Sequence, residues 1–192
     1  MEMFNSCKKA NLCDVAEITM GQSPDSISYN DDGDGMPFFQ GKADYGDKYI
    51  KVTHWTTRPT KIAYKNSVLM SVRAPVGPVN IASCDCCIGR GLCSINAIEG
   101  KTNNEFLYAA LNLQQNEISQ KGTGSTFKAI SKNEVYQIQM PVAKLDLQNE
   151  FSSFSILIDK SRFVAHSRYF LWESFTLVSS TMAYSRVVSI FV

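Results

Sequence analysis

This sequence lacks a long apolar run. The longest uncharged stretch toward its C-terminus, Ser174 to Ser185, has 12 residues, against roughly 20 for a membrane-spanning helix. The opening residues, MEMFNSCKKANLCD, carry no apolar core of a secretory signal. The chain is therefore expected in the cytosol, with no membrane partner. An excess of charge of one sign is also missing, since 19 Lys and Arg face 18 Asp and Glu. Six cysteines without a secretory context read as reduced thiols rather than a disulfide framework. Cys84 and Cys87 have C-x-x-C spacing, yet no second pair or H-x-x-x-H follows, and His54 and His166 stand isolated. The expectation is no metal.

Motifs of chemistry are absent as well. There is no glycine-rich cofactor loop after a first strand, and no Asn or Asp followed by Pro-Pro and an aromatic, so a self-sufficient methyltransferase is disfavoured. No G-x-x-x-x-G-K-[ST] loop and no G-x-S-x-G elbow occur. Pro24-Asp25 with Glu99-Gly100-Lys101 could be read as the carboxylates and lysine of a nuclease, but the first pair sits in a turn-like setting far away in sequence. Asp31 to Gly35 has the acids and glycines of a calcium loop without its register.

What is present is a globular composition, 44% hydrophobic and 19% charged over 192 residues, enough for one domain with an appendage. Charge is segregated along the chain: residues 1–47 hold three lysines against nine acids, a net of −6, and residues 48–90 hold seven cations against Asp85 alone, a net of +6. A local basic surface serves a polyanion even in a neutral protein, though a solvated face has the same composition.

Strands are predicted over Ser67–Val72, Val79–Ala82 and Cys93–Ile98, with Leu12–Met20 alternating loosely. Thr102-Asn103-Asn104-Glu105 has capping-box spacing ahead of one helix through Ile118, with Gly122 at its C′ position. Ser131 to Glu134 repeats the box, and Tyr136–Met140 alternates like a half-buried strand. A last helix starts near Asp146, where Leu147, Phe151, Phe154 and Ile158, spaced 4, 3 and 4, form a short coiled-coil seam that fails beyond Ile158. From Ser167 only three of 26 residues are charged and no period is visible.

The residues left over suit phosphates and base edges. Arg73 stands beside a Pro-Gly turn, Arg90 lies between Gly89 and Gly91, and the 122–128 segment offers Ser125, Thr126 and Lys128, with Lys121 before it. Gln40 and Lys42 are further candidates. Arginine pairs two acceptors of guanine at once, and small residues admit a close backbone. The alternatives are that the glycines only make turns and that both arginines are internal struts. Phe38, Phe39 and Phe127 read as core.

Taken in order, GQSP (Gly21 to Pro24), PFFQG (Pro37 to Gly41), SVRAPVG (Ser71 to Gly77), Ile81-Ala82, IGRGL (Ile88 to Leu92), FLYAAL (Phe106 to Leu111) and GTGSTFKAI (Gly122 to Ile130) closely resemble target recognition domains of type I restriction-modification specificity subunits. The likeness runs from about Leu12 to about Arg162 and includes IQMPVAKLDLQNEF (Ile138 to Phe151).

The resemblance implies an α+β fold: a recognition domain over residues 1–143 with a small twisted, mostly antiparallel sheet and flanking helices. A dimerisation helix over 144–166 and an atypical tail over 167–192 would follow. It also implies a non-catalytic subunit with no cofactor of its own. Such a subunit reads one half of a split site in double-stranded DNA. It docks modification subunits, which methylate adenine with S-adenosylmethionine, and restriction subunits, which use ATP. Complete subunits of the family usually carry two recognition domains, and this chain resembles half of one, so a second domain or a second copy would meet the Leu147, Phe151, Phe154 and Ile158 seam. The competing readings are a recognition domain with nuclease or methyltransferase activity of its own, and a degenerate orphan domain.

Overall fold

In the computed structural model the described residues are 8–122 and 129–167, with side chains of the last helix described as far as Asp159. Ser125, Thr126, Phe127, Lys128 and the tail beyond Ser167 lie outside them. The chain divides into a larger unit, Asn11–Met140, and a smaller one to which residues 8–10 and 141–167 belong.

The fold is α+β. Strand β1 (Lys9–Asn11) leads to a one-turn helix α1 (Leu12–Val15), then β2 (Ala16–Met20), β3 (Tyr29–Asn30), β4 (Met36–Phe39), β5 (Trp55–Thr56), β6 (Ile62–Ala63), β7 (Val68–Ser71), β8 (Val79–Ile81), β9 (Cys86–Ile88) and β10 (Leu92–Ala97). Helices α2 (Asn104–Leu113), α3 (Gln115–Lys121) and α4 (Lys132–Tyr136) precede β11 (Gln139–Pro141) and the 23-residue α5 (Leu145–Ser167).

Within the larger unit, one sheet has the order β2-β10-β7-β8 and is antiparallel throughout. A second has the order β3-β5-β4-β9-β6, in which β4 and β9 alone run parallel. β7 reads Val-Leu-Met-Ser and is buried at all four positions, as a strand covered on both faces should be. One core joins the two sheets: Phe39, Ala63, Cys86 and Ile88 from the second pack with Leu69 and Leu92 from the first, and with Ile50 and Ala82. Each large aliphatic or aromatic side chain removed from water there contributes about 1.5–3 kcal/mol. Phe38 is buried as well.

Several local expectations are corrected. The first residues of Leu12–Met20 wind into α1, because Asn11 and Asp14 form a reciprocal cap. The helix expected from Thr102 to Ile118 is two helices. Its N-cap is Asn103, whose side chain accepts from Phe106 N at 2.9 Å, while Glu105 is drawn instead to Lys48, with Nζ and Oε2 2.9 Å apart. At Gln114 (φ −92°, ψ 6°) the helix breaks. Gly122 leaves α3 extended (φ −60°, ψ 125°) rather than left-handed. Tyr136 closes α4, so β11 is shorter than expected, yet Ile138 and Met140 are buried between exposed Gln137 and Gln139.

In the smaller unit, Val142 N donates to Lys8 O at 2.8 Å. In α5, Ser152 and Ser153 hydroxyls donate to the carbonyls of Gln148 and Asn149, four residues back, sharing those acceptors with the helix's own amides. Among the described residues no helix is long and apolar enough to cross a membrane.

The capping box of α4 is complete: Glu134 N donates to Ser131 Oγ at 3.3 Å, and Ser131 N to Glu134 Oε2 at 2.7 Å. Hydrogen bonding to the carboxyl from the Ser131 side chain and from the Ser131 amide holds Glu134 below its ordinary value. A folded-state value below the unfolded one means that the contribution is present at neutral pH and is lost as pH falls through the lowered value. Ser131→Ala is expected to cost about 1 kcal/mol at neutral pH, measured by urea unfolding, with the deficit shrinking in acid.

Candidate nucleic-acid interface

Three glycine-bearing segments meet backbone to backbone in the larger unit. Gly21 N donates to Leu92 O and Gln22 N to Ile88 O, both at 2.9 Å; Gly89 N donates to Phe39 O at 2.8 Å, and Leu92 N to Gly89 O at 3.0 Å. A Cβ on Gly21 would fall under 3.0 Å from the carbonyl oxygens of Ile88, Gly89 and Leu92, and one on Gly91 equally close to Gln40 O. These glycines are therefore demanded by the protein's own carbonyls, which settles them as turn-and-packing residues rather than openings for a foreign backbone. Arg90 is exposed between them, its amide donating to Ser23 Oγ at 3.3 Å.

Gln40 lies under the same turn: its Cα would be 3.3 Å from a Cβ on Gly89. Asp44 fixes the chain after it, its Oδ2 accepting from Gln40 N at 2.9 Å and Gly41 N at 3.3 Å, so that Lys42 begins a 3-10 turn in place. A cleft of about 590 Å³ opens beside these residues, lined by Tyr29, Phe38, Gln40, Lys42, Asp44 and His54, among others, and by Ala74 and Pro75 across a cis peptide bond.

Arg73 is exposed next to that cleft wall. Its carbonyl accepts from Ser71 Oγ at 2.9 Å, and its backbone bridges Ala129, the residue after Lys128. Neither the Arg73 nor the Arg90 guanidinium makes a hydrogen bond or ion pair with another described residue, so the reading of both as internal struts is set aside. Lys121 ends α3, whose Gln115 O lies 2.7 Å from where a Cβ on Gly77 would be. With φ at +105°, Gly77 also needs glycine for its backbone. Lys121 is exposed, and its charge helps hold the Glu134 carboxyl ionised.

Of the expected site residues, the fold thus places Gln40, Lys42, Arg73 and Arg90 around one cleft and turn. Lys121 lies on the helix packed against the same Pro-Gly loop, and Ser125, Thr126 and Lys128 are outside the described residues. The basic stretch 48–90 is less basic at the surface than its sum. Lys48 is largely buried, paired with Glu105 and 5.5 Å from the Tyr108 ring centroid. His54, expected to be isolated, is not: its Nδ1 lies 2.6 Å from Asp31 Oδ1.

The residues of the nuclease reading have local tasks. Asp25 caps a 3-10 turn by accepting from Ile27 N at 3.3 Å, and Lys101 Nζ donates to Asp14 O at 2.7 Å. Cys86 and Cys93 are buried, which pushes each thiol up to about 12 and keeps it protonated.

A family model described as the type I restriction modification DNA specificity domain matches residues 6–159. The chain belongs to this family. A relative from Methanocaldococcus jannaschii, described as a putative type I restriction enzyme MjaX specificity subunit, is 42% identical over 143 residues, covering 74% of this chain and 34% of the relative. A solved structure described as concerning complex assembly and conformational transition of the type I R-M system superposes with a TM-score of 0.73 at 31% identity, covering 97% of this chain and 45% of that one. The HsdS subunit from Thermoanaerobacter tengcongensis gives 0.70 at 30% identity, with 97% and 44% covered. The S subunit from M. genitalium, at 19% identity and a TM-score of 0.66, shares the fold. The chain spans about a third of the curated relative and under half of these solved chains.

The glycine junction gives this member of the specificity family a sharp test. Gly91→Ala sets a methyl against Gln40 O and is expected to destabilise by about 1–3 kcal/mol, as overpacking does. Gly41→Ala, two residues from Phe39 with nothing within 4 Å of the added carbon, should leave the thermal midpoint nearly unchanged. Equal midpoints for the two variants would contradict the junction.

Proposed function

We propose that residues 11–140 form a DNA target recognition unit that reads one half of a split site in a duplex and carries out no bond chemistry. The observation that supports this best is that Gln40 and Lys42 line one cleft, with Arg73 next to its Ala74-Pro75 wall and Arg90 on the turn over Gln40, both guanidinium groups unengaged by other described residues. Arginine forks match guanine O6 and N7, and Gln matches adenine N6 and N7, while Lys42 and Lys121 suit phosphates. Lys128, Ser125 and Thr126 belong to the same proposal through the neighbouring Arg73 to Ala129 bridge.

The family, and the printed subject of the first solved relative, complex assembly of a type I system, support a place within a restriction-modification assembly. Modification and restriction subunits would supply methyl transfer and cleavage, with their S-adenosylmethionine and ATP, and any base flipping would belong to the methylating partner. Leu147, Phe151, Phe154 and Ile158 lie along α5 at intervals of 4, 3 and 4, the first three half-buried. This stripe would pair with the matching helix of a second recognition domain or of a second copy, and a twofold pair would read an interrupted palindrome.

The test is selection of duplexes from a randomised pool by the full chain. One enriched sequence is expected; enrichment of none refutes the proposal. Against the selected site, Arg90→Ala should lose about 1–3 kcal/mol of binding if the side chain reads a base, or lower the salt dependence by about one phosphate contact if it does not. Unchanged affinity and unchanged salt slope in a folded Arg90→Ala protein would remove Arg90 from the interface.

A further inference from the structure

The cleft contains a residue that sequence reasoning passed over. His54 is held at two levels. Its carbonyl accepts from Phe38 N at 2.8 Å, which fixes the backbone at the edge of β4 just before β5 begins. Its ring is fixed by Asp31, with 2.6 Å between Nδ1 and Oδ1. Both side chains are more than half exposed, at 55% and 77%, so the pair adds little to the core, and exposed pairs of this kind contribute little to stability.

His54 lines the same cleft as Gln40 and Lys42. Because Asp31 occupies Nδ1, the polar ring atom left for an outside group is Nε2. The charged and titratable groups around the cleft are Asp31 from the loop after β3, Lys42 and Asp44 from the 3-10 turn after β4, Tyr29 from β3, Arg73 beside the Ala74-Pro75 wall and Arg90 on the turn over Gln40. Asp44 is committed to the amides of Gln40 and Gly41, and the Tyr29 hydroxyl donates to Pro24 O at 3.0 Å. The remaining lining includes Phe38, Ala43, Ala74 and Pro75. Apolar walls with a few fixed polar groups suit the edge of a base better than a bare phosphate, which calls for a ring of donors.

We infer that His54, oriented by Asp31 on the wall of the Gln40 and Lys42 cleft, is a further specificity-determining residue of this chain, whose Nε2 hydrogen-bonds to a base edge of the bound duplex. The inference rests on the DNA-recognition reading above and adds to it one further base contact.

The experiment measures binding of the full chain to the selected duplex and to a scrambled one of equal length, at fixed pH and ionic strength, for wild type, His54→Gln and Asp31→Asn. Circular dichroism and thermal melts confirm that the variants fold. His54→Gln is expected to lower the preference for the selected duplex roughly five- to a hundredfold, as for one lost base contact. Asp31→Asn, which loosens the hold on the ring while adding net positive charge, is expected to lose preference while binding scrambled DNA at least as well as wild type. A folded His54→Gln protein with the wild-type preference overturns the inference while leaving the recognition reading intact. A uniform loss on both duplexes overturns it too, since it would mark His54 as a phosphate contact. If wild type prefers no sequence at all, both fail.

Discussion

The proposed interface depends on how closely three stretches of backbone approach one another at Gly21, Gly89 and Gly91. Carbonyl oxygens of Ile88, Gly89, Leu92 and Gln40 occupy the space where side chains would begin, and the amides at the same place are satisfied by one another across the junction. Arg90 is therefore carried on a turn tied by backbone bonds to Phe39 and Val72 and packed against Gln40. Precision of this kind matters for reading a base edge, where the partner atoms must be met within a few tenths of an ångström of hydrogen-bond distance.

Charge is handled by the same economy. The acidic segment at the start of the chain does its work at short range: Asp14 completes the cap of α1, Asp25 caps a 3-10 turn, Asp44 binds two amides, and Asp31 holds His54. Lys48 in the basic segment is spent on Glu105 and lies beside Tyr108. Arg73 and Arg90, by contrast, are exposed and have no ion-pair partner among the described residues. Two exposed arginines are thus left without a carboxylate partner among the described residues of a nearly neutral chain.

Much of this could be read along the chain. The strands at β7, β8 and β10, the capping box at Ser131 and the helix containing Leu147 to Ile158 follow from periodicity and cap residues, which act over a few positions. The α+β class came with the family that the ordered motifs resemble. The short strands β3 to β6 and β9 were not legible, since two to four residues carry too little pattern, and their pairing partners are distant in sequence. Two features of the helical stretch were hidden for a related reason: Glu105 pairs with Lys48, 57 positions away, and α3, beyond the break at Gln114, packs against the distant Gly77 loop.

By itself, then, the sequence determined which residue types were available, where helices could start, and which family the motifs resemble. Those signals are local, written in spacing and cap chemistry. Only the tertiary structure decided that Gln40, Lys42, Arg73 and Arg90 share one neighbourhood, that Lys48 does not join them, and that His54 has a carboxylate beside it. Each of those facts depends on backbone bonds between residues tens of positions apart, and the geometry of such bonds leaves no trace in the spacing of side chains along the chain.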